Sequence, residues 1–544
     1  MVTNKQIAEI FAKTADLLEI KGENPFKVRA YRNAARMLEN SSKDFNKLVK
    51  EGFDLTKLPG IGHDLSEYIK EIVNTGKFHK LEELKKEIPQ GLIELLSIEG
   101  LGPKRVKLLY ESFGIKNMDE LKKYALNGEL EKLPGFGPKL VEKILKGVKQ
   151  LKKAGIRFLW AEVEEVAYEL KDYLLDFEGV EIVDIAGSFR RKKESVGDLD
   201  ILVIAKDYPK VSEYFVKFPK VKEVYSKGLT RSTVFLENDL QVDLRAVAKE
   251  SYAAALHYFT GSKAHNIEIR KLAIQKGLKI NEYGVYRGNE IIASQTEEDV
   301  YKSVGLEYIE PELRENRGEI EAALNKSLPN LVNKDDIQGV FEYVKNTKEI
   351  DNALLNATKN HFEYIIFNLS ENIDELTDYI KSLKCEIKLI TSIQTEIDKN
   401  GEIEIKKVFK NVDLITGVMQ KCDLDYETQT KRYINALKNP YLKILLRPSM
   451  REVLKKEEID VDWELVFDTA KQNKKILEIN SNPRFLDLND VLIKKGIEKK
   501  CMFLLSNFKN DCKYGLFQAR RGWCEKDNIL NTLSYKQLKN FLNF

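Results

Sequence analysis

The chain has 544 residues, a formal net charge of +3 and 32% charged residues. At roughly 100–200 residues per domain this length implies several domains. The near-neutral balance excludes a uniformly basic nucleic-acid coat but leaves room for local basic faces. Five cysteines without CxxC or zinc-type spacing argue against a disulfide-stapled secreted protein and for a reduced, cytoplasmic setting. The polar start Met1-Val2-Thr3-Asn4-Lys5 does not read as a signal peptide, and no apolar run reaches the ~18 residues of a membrane span.

Residues 1–82 read as a small helical domain. Its segment Asn24-Pro25-Phe26-Lys27-Val28-Arg29-Ala30-Tyr31-Arg32-Asn33-Ala34-Ala35-Arg36 sets Arg29, Arg32 and Arg36 at helical spacing, with Lys27 beside them. Such a stripe is either a solvated charged face or a DNA-facing one. Three short segments then echo one another: Leu58-Pro59-Gly60-Ile61-Gly62, Ile98-Glu99-Gly100-Leu101-Gly102-Pro103-Lys104 and Leu133-Pro134-Gly135-Phe136-Gly137-Pro138-Lys139. Each precedes a helical pattern and reads as the turn of a helix-hairpin-helix. A Gly that accepts positive φ is followed by a helix start whose free N–H groups attract a phosphate. Gly60, Gly62, Gly100, Gly102, Gly135 and Gly137 are therefore candidate contacts to a nucleic-acid backbone, a mode that holds phosphates and reads no sequence. Beside these turns the DNA-facing reading of the arginine stripe is preferred. The second and third hairpins occupy 83–154.

From 155 to 250 the pattern turns mixed. A helix over 160–175 precedes strands at 180–186, 200–204, 232–236 and 240–246. Within this region stands Gly187-Ser188-Phe189-Arg190-Arg191-Lys192-Lys193-Glu194-Ser195-Val196-Gly197-Asp198-Leu199-Asp200. Strand side chains alternate, so Asp198 and Asp200 share a face. Alone, such a pair is an ordinary solvated strand face. Two further features change the reading. Asp243 sits between apolar residues on another strand, and Gly187, Ser188 and Arg191 supply close backbone approach, a hydroxyl and a forked cation for phosphate oxygens. Three acids converging on one point suit divalent metal and phosphoryl transfer.

Residues 251–317 are helix-rich with a short sheet around Gly284-Val285-Tyr286, and 318–334 read as a helix and linker. Over 335–544, strand-like runs alternate with helical stretches: Tyr364-Ile365-Ile366-Phe367, 386–390, 414–418, 442–446, Ile476-Leu477-Glu478-Ile479 and 502–505. Repeated β-then-α predicts a parallel barrel of the TIM type or a near relative, with chemistry at the strand ends. Those ends read Asn368-Leu369-Ser370, Met419-Gln420, Arg447-Pro448 and Asn507-Phe508-Lys509. Of five His, only His361 lies past His265, so a multinuclear His/Asp metal site cannot be assembled there.

The first 320 residues resemble a family X DNA polymerase, the group that includes DNA polymerase beta. The resemblance runs through the helical region, the hairpins, Gly-Ser-x-Arg-Arg with Asp-x-Asp, and Val242-Asp243-Leu244. It continues through Tyr258-Phe259-Thr260-Gly261-Ser262-Lys263-Ala264-His265-Asn266 and Ile280-Asn281-Glu282-Tyr283. The layout with a C-terminal barrel is similar to the bacterial and archaeal members that carry a polymerase-and-histidinol-phosphatase (PHP) domain. It implies a multidomain α+β protein. In order these are a helical DNA-binding domain, helix-hairpin-helix fingers, a nucleotidyltransferase palm with a mixed sheet, a small thumb and a PHP-like α/β barrel.

The resemblance further implies that Asp198, Asp200 and Asp243 hold two Mg²⁺ or Mn²⁺. Ser188, Arg191 and Gly197, beside Gly187, would contact the triphosphate. Tyr258, Phe259 and Gly261 would line the sugar pocket, Asn266 would reach the base, and Arg270 the template. Lys27, Arg32 and Arg245 join the hairpin glycines as DNA contacts, with a monovalent cation as a further candidate at the hairpins. Implied partners are gapped or primer-template DNA and a dNTP, with no membrane, for a monomer.

Two departures stand out. Members with 5′-deoxyribose-phosphate lyase activity use a Schiff-base Lys where this chain has Tyr68, so weak or absent lyase activity is expected. The PHP pattern is broken too. Glu342-Tyr343-Val344 stands where the family has His-x-His, Gln394 replaces a strand-end Glu, and Met419, Arg447, Asn507 and Lys509 occupy later ligand positions. Scaffold segments remain, including Leu477-Glu478-Ile479-Asn480 and Ala519-Arg520-Arg521-Gly522-Trp523. The expectation is a kept fold with no metal cluster and no nuclease. The whole reads as a template-directed, gap-filling DNA polymerase. A nucleotidyltransferase acting on RNA or another acceptor, and a non-catalytic DNA-binding scaffold, are the alternatives.

Overall fold

The computed structural model describes residues 4–40, 45–58, 61–98, 100–154, 156–293, 295–403 and 412–543. It divides into two compact units, Met1–Gly155 and Ile156–Phe544.

The first unit is all helical. One apolar core runs from Phe11 and Leu18 through Ile69 and Leu84 to Val106 and Ile144, so the segments 1–82 and 83–154 share their interior. The hairpins repeat one backbone arrangement. The N–H groups of Ile61, Leu101 and Phe136 donate to the carbonyls of Leu58, Ile98 and Leu133 at 3.2, 2.9 and 3.1 Å. All three donor residues are buried, which anchors each turn to the core. Gly100 and Gly135 hold φ of 92° and 83°, a region that favours glycine. Gly62 and Gly102 then start the helices His63–Thr75 and Pro103–Phe113, and Gly137 precedes Pro138–Ala154. Gly60 lies outside the described residues.

In the second unit a five-stranded mixed sheet comes first. Its order is Val180–Ile185, Asp198–Ala205, Gln241–Ala246, Arg231–Leu236 and Val221–Lys227. The last of these is a strand that the sequence reading misses. It is an edge strand, half-buried or exposed at every position and carrying Lys222, Glu223 and Lys227, so its apolar signal is thin. Helix Trp160–Leu175 packs its buried Val163, Ala167 and Leu170 on the sheet. Helices Tyr252–Thr260 and Lys263–Gln275 follow, then a three-stranded antiparallel sheet spanning 279–293. A buried ion network joins these parts. Glu297 accepts from Arg190 Nη2 at 2.5 Å and from Arg314 Nη1 at 2.6 Å.

The C-terminal part is a parallel barrel of seven strands in sequential order. They are Gly339–Val344, Tyr364–Leu369, Lys388–Ile397, Leu414–Met419, Leu442–Leu446, Ile476–Ile479 and Met502–Leu505. The strands expected from sequence are all present. The run expected over 386–390 is longer, continuing to Ile397. The first and last strands are not paired directly over their length. Asn531 fills the seam instead. Its Oδ1 accepts from Leu505 N at 2.8 Å, and its Nδ2 donates to Gly339 O at 3.1 Å and Leu505 O at 3.0 Å. One buried side-chain amide thus does the work of a strand edge, satisfying groups that a dry interior would otherwise penalise. Among the described residues, no helix is long and apolar enough to cross a membrane.

Asn531→Ala strands those backbone groups without water. We expect a loss of about 2–4 kcal/mol of stability in urea unfolding, against a negligible change for the exposed Asn400→Ala.

Candidate active site

The parallel pairing of Asp198–Ala205 with Gln241–Ala246 sets Asp200 opposite Asp243 and Asp198 opposite Gln241. Leu199, Val242 and Leu244 point into the core with no exposure, so the acids must face the other way. They line a cleft of about 580 Å³ together with Gly187, Ser188, Arg191, Gly197, Arg245, Tyr258, Phe259, Gly261, Asn266 and Arg270. The residues expected for the metal, the nucleotide and the template strand therefore meet in one place. The hairpin glycines, Lys27 and Arg32 belong to the other compact unit.

Like charges gathered here are costly. Burial, then the negative charges of Asp198 and Asp243, push Asp200 up to about 7, with Arg245 and Arg231 opposing. The Asp198 side chain opens onto the cleft, yet the protein mass around it and the Asp243 charge raise its pKa too. Asp243 is buried and fully engaged. Arg231 Nη2 donates to its Oδ2 at 2.9 Å, Gln241 Nε2 to the same oxygen at 3.2 Å, and Thr233 Oγ1 to Oδ1. Arg231, Thr233 and Gln241 are site residues that the sequence reading misses: Arg231 and Thr233 are signalled only by register across the sheet, whereas Gln241 shares the face of Asp243 by simple alternation along one strand.

As they stand, no three acidic, imidazole or thiol groups among the described residues are close enough to enclose a metal ion. The donor set nevertheless fits one. It consists of hard carboxylate oxygens on adjacent strands whose mutual repulsion a divalent cation relieves. Gly187 makes the same point. At φ 60°, its absent Cβ would lie 2.8 Å from Asp200 Oδ2, so only glycine leaves the carboxylate free.

Arg191 lines the same cleft as the acids. Arg191 Nε donates to Glu315 Oε1 at 3.0 Å, and Arg191 Nη1 to the carbonyl of Thr260. That approach passes Gly261, where a Cβ would meet Nη1 at 3.1 Å. The Gly261–Ser262 peptide is cis. Arg245 lies 3.8 Å from Asp200 and 4.4 Å over the Phe259 ring, which ties it to the acids as well as to the cleft wall. Asn266 is buried. Its Nδ2 donates to Tyr258 O at 2.7 Å, while Oδ1 has no partner. A buried, unpaired acceptor in the wall of a cleft is costly unless a ligand supplies the donor. Arg270 stacks 5.9 Å over Tyr258.

In the other unit the basic stripe is partly spent. Arg32 Nη2 pairs with Glu19 at 2.5 Å and Asp16 at 3.1 Å, and Lys27 reaches Glu23 at 3.5 Å. For Arg32 the acids lie one helix away, invisible to periodicity, whereas Glu23 stands four residues before Lys27. Tyr68 stacks on Tyr31 at 6.1 Å and touches Phe78 at 5.0 Å, a structural aromatic cluster.

The barrel's strand ends enclose a cleft of about 630 Å³. Neutral amides and hydroxyls tie these ends together. Asn507 Nδ2 donates to Glu342 at 2.6 Å, Tyr343 OH to Glu478 at 2.6 Å, and Thr416 and Ser392 to Asn368 Oδ1 at 2.8 and 3.0 Å. Burial pushes Glu342 up to about 7.

Family models match this chain along its first 315 residues. They are a helix-hairpin-helix domain over 2–78, a SAM-like helix-hairpin-helix tandem over 92–150, a DNA polymerase beta palm over 157–280 and a DNA polymerase beta thumb over 255–315. The DNA polymerase/3′-5′ exonuclease PolX of Bacillus subtilis is 31% identical, covering 99% of both chains. DNA polymerase lambda of Arabidopsis thaliana is 27% identical over 57% of this chain and 62% of its own. DNA polymerase lambda of Rattus norvegicus is 27% identical over 51% of each. With a palm built around three converging aspartates and a relative matched end to end, the chain belongs to the family X DNA polymerases.

Proposed function

We propose that this chain is a template-directed DNA polymerase that fills short gaps during repair in the cytoplasm, working as a monomer. The observation that carries this reading is the register of Asp200 against Asp243 beside the Arg191 clamp. The proposed division is 1–82 and 83–154 for DNA, 155–250 for catalysis, 251–317 for nucleotide selection, 318–334 as linker and 335–544 as barrel.

Asp198, Asp200 and Asp243 would hold two divalent cations, Mg²⁺ foremost. Bound there, such cations supply Lewis-acid polarisation and charge neutralisation for phosphoryl transfer. The chain's own residues do the positioning. Ser188, Arg191 and the backbone at Gly187 and Gly197 hold the β and γ phosphates. Tyr258, Phe259 and Gly261 form the wall for the sugar. The open Oδ1 of Asn266 accepts from the base edge, and Arg270 steadies the template strand. The primer 3′-oxygen forms its bond to the α-phosphorus, the α–β bridging bond breaks, and pyrophosphate leaves in line. DNA enters through backbone contacts at the hairpin turns, where Gly100, Gly102, Gly135 and Gly137 leave helix N–H groups accessible.

The barrel is proposed to lack nuclease activity, in contrast to the exonuclease in the Bacillus relative's name. Its strand ends carry Asn368, Gln394, Met419, Arg447, Asn507 and Lys509, a set poor in metal donors and rich in amides and cations. Lyase chemistry is likewise proposed to be weak or absent, because Tyr68, which cannot form an imine, stands where members with that activity use their Schiff-base Lys.

The test is extension of a labelled primer on one-nucleotide-gapped DNA with Mg²⁺. Wild type is expected to extend only with dNTP, and Asp243→Ala to fall by at least ~10³-fold. Extension that survives in Asp243→Ala contradicts the site. Primer shortening without dNTP in Asp243→Ala contradicts the inactive barrel. Borohydride trapping on a 5′-deoxyribose-phosphate end is expected to give no adduct.

Glu342 gives a pH signature to the barrel. Its folded pKa lies above its ordinary 4.5, at about 7, so between these values the folded form holds a proton that the unfolded form has lost. The stabilisation is full below pH 4.5 and is lost as pH rises through about 7. Glu342→Gln should flatten that slope in urea unfolding and gain on the order of 2–3 kcal/mol at pH 8. The slope that remains comes from the other acids whose pKa the fold raises, among them Asp200 at about 7, Asp487 at about 6, and Asp198 and Glu478.

A further inference from the structure

The barrel's helix Lys513–Arg521 follows its last strand, and its inner face is built in. Leu516 and Ala519 are core residues, and a Cβ on Gly515 would fall 2.2 Å from Ser481 Oγ. The outer face of this helix docks on the polymerase half of the same compact unit. Lys513 and Tyr514 grip Glu164 at 2.8 and 2.9 Å. Phe517 packs edge-on to Trp160 at 5.2 Å. Gln518 Nε2 reaches Glu194 at 3.2 Å, and Arg520 Nε reaches Glu312 at 2.9 Å. Every partner lies next to the Gly187–Asp200 segment or on the stretch that leads to Glu315.

Arg521 completes this docking and touches the clamp itself. Its Nη1 donates to the backbone carbonyl of Arg191 at 2.8 Å and to Glu315 Oε1 at 3.2 Å, and its Nη2 to Asp490 Oδ2 at 2.5 Å. The Glu315 oxygen that takes this bond also takes Arg191 Nε at 3.0 Å. Charges therefore alternate along a buried chain: Asp490, Arg521, Glu315, Arg191. The Arg521 side chain is 2% exposed, and those of Glu315 and Arg191 are 11% exposed, so water does little to screen the chain.

This arrangement has a consequence for Arg191. Glu315 fixes Nε and Thr260 O fixes Nη1, which leaves Nη2 as the nitrogen for a phosphate in the cleft. Were Glu315 to pair with Arg191 alone, its whole charge would compete with that phosphate. Sharing Glu315 with Arg521 weakens the competition, and the bond to the Arg191 carbonyl holds the backbone in place. We infer that Arg521, on the C-terminal barrel, is a positioning residue for nucleotide binding, acting through Glu315 to hold Arg191 ready for the triphosphate. The barrel then serves the polymerase by bracing its phosphate clamp. This rests on the reading of Arg191 as a triphosphate ligand.

The test is steady-state gap filling by the full chain, with KM for dNTP, kcat and DNA affinity measured for five variants. These are Arg191→Ala, Arg521→Ala, Arg521→Lys, Glu315→Gln, and the double variant Arg191→Ala with Arg521→Ala. Arg521→Ala is expected to raise KM about 10-fold, with kcat within about 3-fold and DNA affinity unchanged. Arg521→Lys should recover part of the loss. The double variant should be no worse than Arg191→Ala alone, because the two act in series. If Arg521→Ala fails to fold, Arg521→Lys carries the test, and a KM for dNTP unchanged there while Arg191→Ala raises it overturns the inference. A KM unchanged in folded Arg521→Ala, or effects that multiply in the double variant, overturn the inference while Arg191 keeps its role. An unchanged KM in Arg191→Ala overturns the phosphate assignment itself.

Discussion

The second compact unit is organised around one electrostatic problem. Two strands paired in parallel bring Asp200 level with Asp243, with Asp198 one step away, and burial denies the acids the water that would dissipate their repulsion. Nothing in the hydrophobic core requires this. The cost is held down by Arg231 and Arg245, by hydroxyl and amide donors on Asp243, and by a glycine at 187 whose missing side chain leaves room beside Asp200. A strained cluster of this kind, facing a cleft rimmed by arginines, is matched to ligands that bring cations and a polyphosphate together.

The barrel's seven strands and its Asn531 seam present Asn368, Gln394, Met419, Arg447, Asn507 and Lys509 at or near their strand ends, a set rich in amides and cations. Glu478 remains buried and is satisfied by Tyr343, Asn480 and the Arg447 backbone, so a carboxylate of the scaffold has become part of a hydrogen-bonded interior. The helix Lys513–Arg521 joins the barrel to the polymerase half, with five of its charged or polar side chains paired there.

Much of the palm was legible in the sequence because its signals are local. Asp198-Leu199-Asp200 declares its face by alternation, and Gly-Ser before Arg191 declares a phosphate turn. The repeated Gly-x-Gly segments likewise mark one backbone arrangement, visible at Gly100 and Gly135. The barrel strands were legible for the same reason, as apolar runs of strand length. What could not be read depends on distance along the chain. Arg231 and Thr233 reach Asp243 only through sheet register, and Arg521 reaches Arg191 across most of the second unit. Arg32 belonged to a plausible basic stripe, yet Asp16 and Glu19 on the neighbouring helix take up its charge. The edge strand Val221–Lys227 was missed because an edge needs few apolar residues.

The central claim is that one cleft holds both the acids and the phosphate clamp, with the barrel braced behind it. A structure of the full chain with one-nucleotide-gapped DNA, Mg²⁺ and a non-hydrolysable dNTP tests it most directly. Metal density is expected among Asp198, Asp200 and Asp243, with the β and γ phosphates on Ser188 and Arg191 and with Glu315 and Arg521 keeping their present partners. A triphosphate bound away from Arg191, or metal density at the barrel's strand ends around Glu342 and Asn507, would contradict it.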